Sequence, residues 1–201
     1  MKGGSGMPER RAAPLKSREL LKKVCLLGDS GVGKKTIAGI VAPFEKGIEK
    51  YTQTIGTAVT KYGLEFLLGD QRIRLHVLVW DVTGKEDYRR LQPAYYNGAE
   101  GVIVVGDASL PNTIESMPHW IEAARAVTGD IPAVAIINKT DLVLPQALVP
   151  LQKRALELLE RYAAPVYLVN TGSSPKSALK IPFYELARMI VVRAAAPSRR
   201  K

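Results

Sequence analysis

The sequence is poor in cysteine and has no long hydrophobic run. These two features exclude a disulfide-stabilised fold and a membrane-spanning protein. Its single cysteine, Cys25, cannot form an intrachain disulfide, and its place in the apolar run VCLL predicts a buried strand residue rather than a reactive thiol. No apolar stretch approaches the ~18 residues that cross a bilayer. We therefore expect no membrane-spanning segment and a cytoplasmic location, where thiols stay reduced.

Acidic residues are also scarce, but the resulting charge is confined to the two ends of the chain. Residues 1–23 hold seven Lys or Arg and two Glu, and residues 193–201 hold four Lys or Arg and no acid. Of the formal net charge of +10, only +1 therefore belongs to residues 24–192, the body of the chain. A nearly neutral body lacks the broad basic face of a duplex-binding protein, so we expect no sequence-specific nucleic acid partner. The basic ends fit two interpretations. They are solvated chain ends, or they make a transient, peripheral contact with an anionic membrane.

The 201 residues fit one domain with a short basic flank on each side. We assign residues 1–18 to a flexible N-terminal flank, residues 19–194 to the domain and residues 195–201 to a basic C-terminal tail. Residues 1–6 are compatible with a tag remnant and carry no fold information. The final residues, APSRRK, are not a prenylation motif.

From Leu20 onward, short aliphatic runs alternate with longer amphipathic stretches, a pattern typical of an α/β protein. Six strands are predicted, near residues 21–27, 62–68, 72–80, 101–107, 132–137 and 165–169. Five helices are predicted, near residues 34–43, 86–97, 112–127, 145–162 and 177–194. The second and third strands are too close for a crossover and predict an antiparallel hairpin, whereas the longer connections predict parallel strands with helices on both faces. Ligands bind beyond the carboxyl ends of the strands of such a sheet.

A glycine-rich segment, GDSGVGKK at residues 28–35, lies between the first predicted strand and the first helix. Glycines let the backbone wrap tightly around phosphate oxygens, while successive amides point inward and the helix N-terminus adds positive charge. The motif predicts a phosphate-binding loop in which Lys34 reaches the outer phosphates. The predicted phosphate-binding residues are Asp29, Ser30, Gly31, Val32, Gly33, Lys34, Lys35 and Thr36.

A second motif, NKTD at residues 138–141, follows another apolar strand. The Asp141 carboxylate can accept hydrogen bonds from N1 and N2 of guanine, a pattern that adenine cannot offer. We expect Asn138 to brace the loop and Lys139 to lie over the base. Together with the phosphate loop, this motif predicts a guanine-nucleotide site.

Two further segments carry weaker signals. DVTG at residues 81–84 closes a strand with Asp81, which suits an outer contact to magnesium, and Gly84 can turn an amide toward a γ-phosphate. YTQTIG at residues 51–56 offers Thr54 as a magnesium ligand. Each segment taken alone also fits an ordinary surface loop.

In order along the chain, GDSGVGK, TIG, WDVTGKEDYRRLQPAYYNGAEGVIVV, NKTD and NTG resemble the Ras superfamily of small GTPases, and its Rab-like branch most closely. The resemblance spans roughly residues 20–192. It implies a P-loop G domain that binds GTP or GDP with Mg²⁺ and hydrolyses GTP. It also implies signalling to effector and regulatory proteins through switch segments near residues 46–57 and 83–97.

The resemblance further implies roles for individual residues. Tyr51 would cover the nucleotide, and Thr54 and Gly84 would sense the γ-phosphate. The catalytic positions are Lys34, Gly84 and Lys85. The metal positions are Thr36, Thr54 and Asp81. The guanine-binding positions are Asn138, Lys139, Asp141, Thr171 and Gly172.

Lys35 departs from the family pattern, because it stands where the family has a Ser or Thr that binds Mg²⁺. An ammonium group cannot coordinate a cation. Three interpretations follow: Thr36 supplies the ligand instead, magnesium binding is weakened while the nucleotide is still held, or Lys35 replaces the charge of the metal.

Lys85 stands where the family usually has the glutamine that orients the attacking water. A charged lysine cannot accept that water's hydrogen bond, so we expect slow hydrolysis, unless Lys85 stabilises phosphate charge or Glu86 orients the water. With Lys35, this departure keeps a second hypothesis open, a guanine-nucleotide-binding scaffold or adaptor that does not hydrolyse GTP.

The aromatic residues Trp80, Trp120, Tyr95 and Tyr96 fall on predicted strand or helix faces, and we expect them to pack in the core. Tyr95 and Tyr96 are also candidates for a partner surface beside the second switch segment.

Overall fold

The computed structural model of the chain describes residues 16–41, 51–54, 57–68, 71–82, 92–173 and 176–195. These residues form one seven-stranded sheet with helices on both faces. The strands are β1 (Lys16–Leu27), β2 (Tyr51–Thr54), β3 (Thr57–Leu68), β4 (Gln71–Val82), β5 (Gly101–Asp107), β6 (Ala133–Asn138) and β7 (Val166–Leu168). The helices are α1 (Lys34–Val41), α2 (Gln92–Tyr96), α3 (Asn112–Glu115), α4 (Met117–Thr128), α5 (Pro145–Leu159) and α6 (Lys176–Ala195).

The strand order, β2-β3-β4-β1-β5-β6-β7, confirms the predicted mixed sheet. β3 and β4 pair antiparallel as a hairpin, and the strands from β4 through β1 to β7 pair in parallel. The short edge strand β2, which pairs antiparallel with β3, is an addition to the six strands that the sequence predicts. Its four residues, YTQT, carry no hydrophobic alternation that could have revealed it.

β1 begins at Lys16, several residues before the apolar run that predicted it, and so reaches into the segment assigned to the N-terminal flank. The early residues pair with β4 from Gln71 onward. A charged row crosses three strands here, because Arg74 on β4 contacts Glu19 on β1 at 2.9 Å and Glu65 on β3 at 3.0 Å. This part of the strand is therefore held chiefly by backbone pairing with β4, to which the exposed ion pairs add little, rather than by a hydrophobic pattern.

The predicted third helix is divided into α3 and α4 at Ser116. Pro118, two residues after Ser116 and in the first turn of α4, has no backbone N–H with which to continue the hydrogen bonds of α3. Of the predicted second helix, Gln92–Tyr96 is described as α2, and residues 86–91 lie outside the described part of the chain. The predicted fourth helix corresponds to α5 followed by a 3₁₀ turn, Glu160–Tyr162.

The hydrophobic core lies in two layers, one on each face of the sheet. β5 and β6 are buried along their whole length, and successive side chains point to opposite faces. One layer packs against α1 and α6, and the other against α2, α4 and α5. Among the described helices, none combines the length and the apolar character that crossing a membrane requires.

The second layer contains three of the four aromatic residues that the sequence places in the core, and the fourth, Trp80, is partly buried and packs against it. Tyr95, Tyr96 and Trp120 are buried there, which confirms the packing interpretation and leaves the two tyrosines without the exposed area that a partner surface needs. Cys25 is fully buried in the same layer, and burial raises the pKa of its thiol to about 12, so the thiol stays protonated at neutral pH.

Ile136→Ala is expected to lower the free energy of unfolding by about 2–5 kcal/mol, because it leaves a cavity in the layer between the sheet and α6. Urea unfolding measures the change. The matched control is Ile181→Ala, which removes the same atoms from a side chain that is 54% exposed on α6 and should cost less than about 0.5 kcal/mol. Equal losses in the two variants would contradict the assignment of Ile136 to the core.

Candidate functional site

The carboxyl ends of four parallel strands gather the polar motifs at one edge of the sheet. The glycine-rich loop follows β1, Asp107 ends β5, the NKTD motif begins at the end of β6, and the segment VNTG follows β7. Because these strands are adjacent and parallel, the loops that follow them lie side by side.

The glycine-rich loop takes a backbone path that two of its glycines make possible. Gly28 and Gly33 have φ angles of +135° and +102°. A Cβ at Gly28 would lie 2.2 Å from the Val105 carbonyl oxygen, and one at Gly33 would lie 2.3 Å from Nδ2 of Asn138. Both positions therefore require glycine, because any other residue would be strained at these φ angles and its Cβ would collide with a neighbouring atom.

Lys34, the first residue of α1, is buried with its ammonium group against the loop. Its Nζ donates to the carbonyl oxygens of Gly28 and Asp29, each at 2.7 Å. Lys35 and Thr36 follow in the first turn of α1 and are both exposed. The loop thus places a positive charge and the N-terminus of a helix beside its backbone amides, an arrangement suited to an anion.

The side chain of Asp29 is engaged by the segment around the start of α4. Its Oδ2 accepts a hydrogen bond from the Ser116 hydroxyl at 2.7 Å, and its Oδ1 accepts one from Nε1 of Trp120 at 2.9 Å. The sequence predicts Trp120 as a packing residue, and its hydrogen bond to the loop is an additional contact that no local pattern indicates.

Asn138 joins the base-recognition motif to the glycine-rich loop. Its side chain is fully buried, and Nδ2 donates to the Val32 carbonyl oxygen at 3.0 Å. Its Oδ1 is also buried, and the described part of the chain supplies it with no hydrogen-bond partner. A buried acceptor without a partner is costly, so this atom is a natural place for a ligand to donate a hydrogen bond.

Lys139 adopts a left-handed backbone conformation, with φ of +59°, and its Nζ lies 2.5 Å from Oδ2 of Asp107. The other carboxylate oxygen of Asp107 accepts hydrogen bonds from the amide and the hydroxyl of Ser109, at 2.9 Å and 2.6 Å. Burial works to raise the pKa of Asp107, but the hydrogen bonds from Lys139 and Ser109 outweigh it and lower that pKa. Asp107 is therefore held as a carboxylate.

Asp107 is a site residue that the sequence interpretation missed. The available signal was an acid directly after the buried strand GVIVVG, in the position where ligand-binding residues of parallel sheets stand.

Asp141 lies beside the loop after β7. Asp141 is exposed in the 3₁₀ turn Thr140–Leu142, and its Oδ2 would lie 3.8 Å from a Cβ placed on Gly172. The turn is tied to the loop because the Thr140 hydroxyl donates to the Val169 carbonyl at 3.1 Å. The loop itself is shaped by Asn170, whose Oδ1 accepts the amide of Gly172 at 2.7 Å.

The structure therefore brings together the residues predicted to bind phosphate and those predicted to bind guanine. The backbones of Tyr51, Thr54 and Asp81 lie in β2 and β4, and their side chains lie outside what the structure describes. Asp81 pairs with Leu26 on β1, two residues before Gly28, so its backbone is next to the glycine-rich loop. The predicted catalytic residues Gly84 and Lys85, with the neighbouring Glu86, lie outside the described residues.

A guanine nucleotide fits the groups gathered here: a glycine cradle, a buried ammonium, a buried acceptor without a partner and a carboxylate. Magnesium does not fit at residue 35, because the ammonium of Lys35 has no lone pair to offer. Within the described ranges, no group of three or more His, Cys, Asp or Glu could hold a metal ion. The hydroxyl of Thr36, one residue later and exposed, is the nearest alternative donor in the helix.

Comparison with known families gives a match of residues 23–141 to Roc, the Ras of Complex domain of DAPkinase. The chain is 32% identical over 182 residues to the GTP-binding nuclear protein GSP1 of Encephalitozoon cuniculi, covering 89% of this chain and 80% of that protein. It is 32% identical over 183 residues to human Ras-related protein Rab-22A, covering 86% and 84%. It is 30% identical over 182 residues to Ras-related protein Rab-19 of Bos taurus, covering 89% and 79%.

Asp107→Asn is expected to lower the free energy of unfolding at neutral pH by about 1–3 kcal/mol, because Lys139 loses its buried charged partner. The lowered pKa means that the carboxylate stabilises the fold above the ordinary Asp value of 3.8 and loses this effect as the pH falls below it. The difference between wild type and variant should therefore shrink below that pH. Urea unfolding at a series of pH values measures it.

The matched control is Asp130→Asn, because Asp130 is 75% exposed and should contribute less than about 0.5 kcal/mol at any pH. A difference between wild type and Asp107→Asn that stayed constant from neutral pH to pH 3 would contradict the role given to the ion pair.

Proposed function

The chain belongs to the Ras superfamily of small GTPases and has Rab-like relatives, and on this premise we propose that it is a switch that binds GTP and GDP and hydrolyses GTP slowly. The observation that carries the proposal is the hydrogen bond from Asn138 Nδ2 to the Val32 carbonyl. It ties the phosphate loop directly to the base-recognition motif, and this supports a single nucleotide that contacts both.

The phosphate end of the nucleotide is bound by the glycine-rich loop. The ammonium of Lys34 already lies within the loop, held by two carbonyl oxygens at 2.7 Å, so little rearrangement precedes its contact with a phosphate. The inward amides and the N-terminus of α1 add partial positive charge at the same place.

The base is selected at the other end of the site. Asp141 accepts the N1 and N2 hydrogens of guanine, and adenine would leave this charged acceptor without a partner. The ammonium of Lys139 is held by its ion pair with Asp107, and this supports a role in which its hydrocarbon stem lies along the base. Thr171 and Gly172 close the site from the loop after β7.

We infer from family membership that effector and regulatory proteins recognise the nucleotide state through residues 46–57 and 83–97. The basic ends of the chain support a cytoplasmic location with transient contact to anionic membranes, since each Lys or Arg near such a surface contributes about 1 kcal/mol.

A second candidate function is a guanine-nucleotide-binding scaffold that does not hydrolyse GTP. Lys35 and Lys85 favour it, because they replace residues that bind the metal and orient the attacking water in the family. Nucleotide binding without hydrolysis is chemically consistent, because the buried Lys34 and Asn138 and the backbone of the glycine-rich loop do not depend on the side chains of Lys35 and Lys85.

Purified protein is expected to carry GDP or GTP, identified by chromatography after denaturation, and to release phosphate slowly in single-turnover assays. Lys85→Gln should raise the rate by about tenfold or more, because it restores an acceptor for the attacking water. Lys85→Met removes the charge without supplying an acceptor and is the matched control. If both variants lower the rate, Lys85 stabilises phosphate charge instead, and if wild type releases no phosphate over hours, the scaffold function holds.

Lys35→Ser is expected to make GDP retention depend on magnesium. In the variant, a chelator should speed GDP dissociation by about tenfold, whereas wild type should respond much less, because Lys35 offers the ion no ligand. Lys153→Ser, at an exposed lysine on α5, is the control. A strong chelator response in wild type that Thr36→Val abolishes would show that Thr36 supplies the ligand.

A further inference from the structure

We propose that Trp120 and Ser116 are positioning residues for the phosphate loop. Each donates a hydrogen bond to the carboxylate of Asp29 and so holds it against the start of α4. The proposal rests on the nucleotide binding proposed above and adds residues to it that are remote in sequence. Trp120 lies 91 positions and Ser116 lies 87 positions after Asp29.

Both oxygens of the Asp29 carboxylate are occupied by donors from outside the loop. The Ser116 hydroxyl is 2.7 Å from Oδ2, and Nε1 of Trp120 is 2.9 Å from Oδ1. Hydrogen bonds to an ionised group are about twice as strong as neutral ones, and Trp120 is buried, so its N–H needs a partner. The two bonds together fix the direction of the carboxylate.

This direction matters because Asp29 is the second residue of a loop built to hold anions. A carboxylate that turned into the loop would repel the phosphates that Lys34 and the loop amides attract. The backbone carbonyl of Asp29 faces Lys34, at 2.7 Å, while its side chain bonds to Ser116 and Trp120. The contacts therefore keep the backbone of Asp29 in the cradle and its charge outside.

The same segment also connects the phosphate loop to the base-recognition motif. Ser116 stands between α3 and α4, and in α3 the hydroxyl of Thr113 accepts the amide of Asp107 at 2.8 Å. Asp107 in turn pairs with Lys139. This series of contacts, from Asp29 through α3 to Lys139, supplements the direct contact between Asn138 and Val32. Two separate sets of contacts therefore connect the phosphate loop to the base-recognition motif.

Trp120→Phe keeps an aromatic ring in the core and removes the N–H. We expect it to raise the Kd for GDP by about tenfold, with a smaller change for Ser116→Ala in the same direction. In an Asp29→Ala background, Trp120→Phe should change the Kd by less than about twofold, because no carboxylate is left to misplace. Titration with fluorescent GDP measures wild type, the three single variants and the double variant.

The background comparison separates positioning from packing. If Trp120 only fills the core, Trp120→Phe weakens GDP binding equally with and without the Asp29 carboxylate, and that result would overturn the proposal. Asp29→Asn replaces Asp29→Ala in the cycle if the alanine variant does not fold, since it also removes the charge.

The matched control is Trp80→Phe, the same change at the other tryptophan. Trp80 Nε1 is buried, and no described residue accepts a hydrogen bond from it, so its removal should leave the Kd unchanged. If wild type binds no GDP, the proposed function fails. If wild type binds GDP and Trp120→Phe binds it equally well, the function stands and this inference is wrong.

Discussion

The hydrogen bond between Asn138 and the Val32 carbonyl is the constraint on which the rest of the site depends. It joins residues 106 positions apart, and it is possible only because residue 33 has no side chain to obstruct Asn138 Nδ2. Burying the amide without this acceptor would be costly, so the bond favours one arrangement of the two loops over others. Asn138 is the last residue of the buried strand β6, so its position beside Val32 depends on the packing of the sheet.

Two carboxylates that lie beside the phosphate loop and the base-recognition motif, Asp29 and Asp107, are each compensated by donors in a site for a polyanion. Asp107 is paired with Lys139 and Ser109, and Asp29 is bonded to Ser116 and Trp120. Each set of donors comes from outside the glycine-rich loop, which leaves Lys34 and the loop amides to attract phosphate. The electrostatics of the site are thus set by contacts between loops and helices that are remote in sequence.

The proposed effects of the two lysines that depart from the family pattern concern metal binding and hydrolysis rather than the nucleotide cradle. The cradle is made by the loop backbone, the ammonium of Lys34 and Asn138, and it is complete whatever residue occupies position 35. Lys35 is exposed beside it and adds positive charge where the family binds a cation. Nucleotide binding therefore follows from the described geometry more directly than hydrolysis does.

The sequence alone determined the α/β fold, the β3–β4 hairpin, the phosphate loop and the base-recognition motif, because short-range spacing and hydrophobic periodicity encode them. It did not indicate the early start of β1 at Lys16, which depends on pairing with β4, or the break at Ser116. It also missed the pairing of Asp107 with Lys139 and of Asp29 with Trp120. Only the tertiary structure decided these, because each depends on partners that strand order, rather than local sequence, brings within hydrogen-bonding distance.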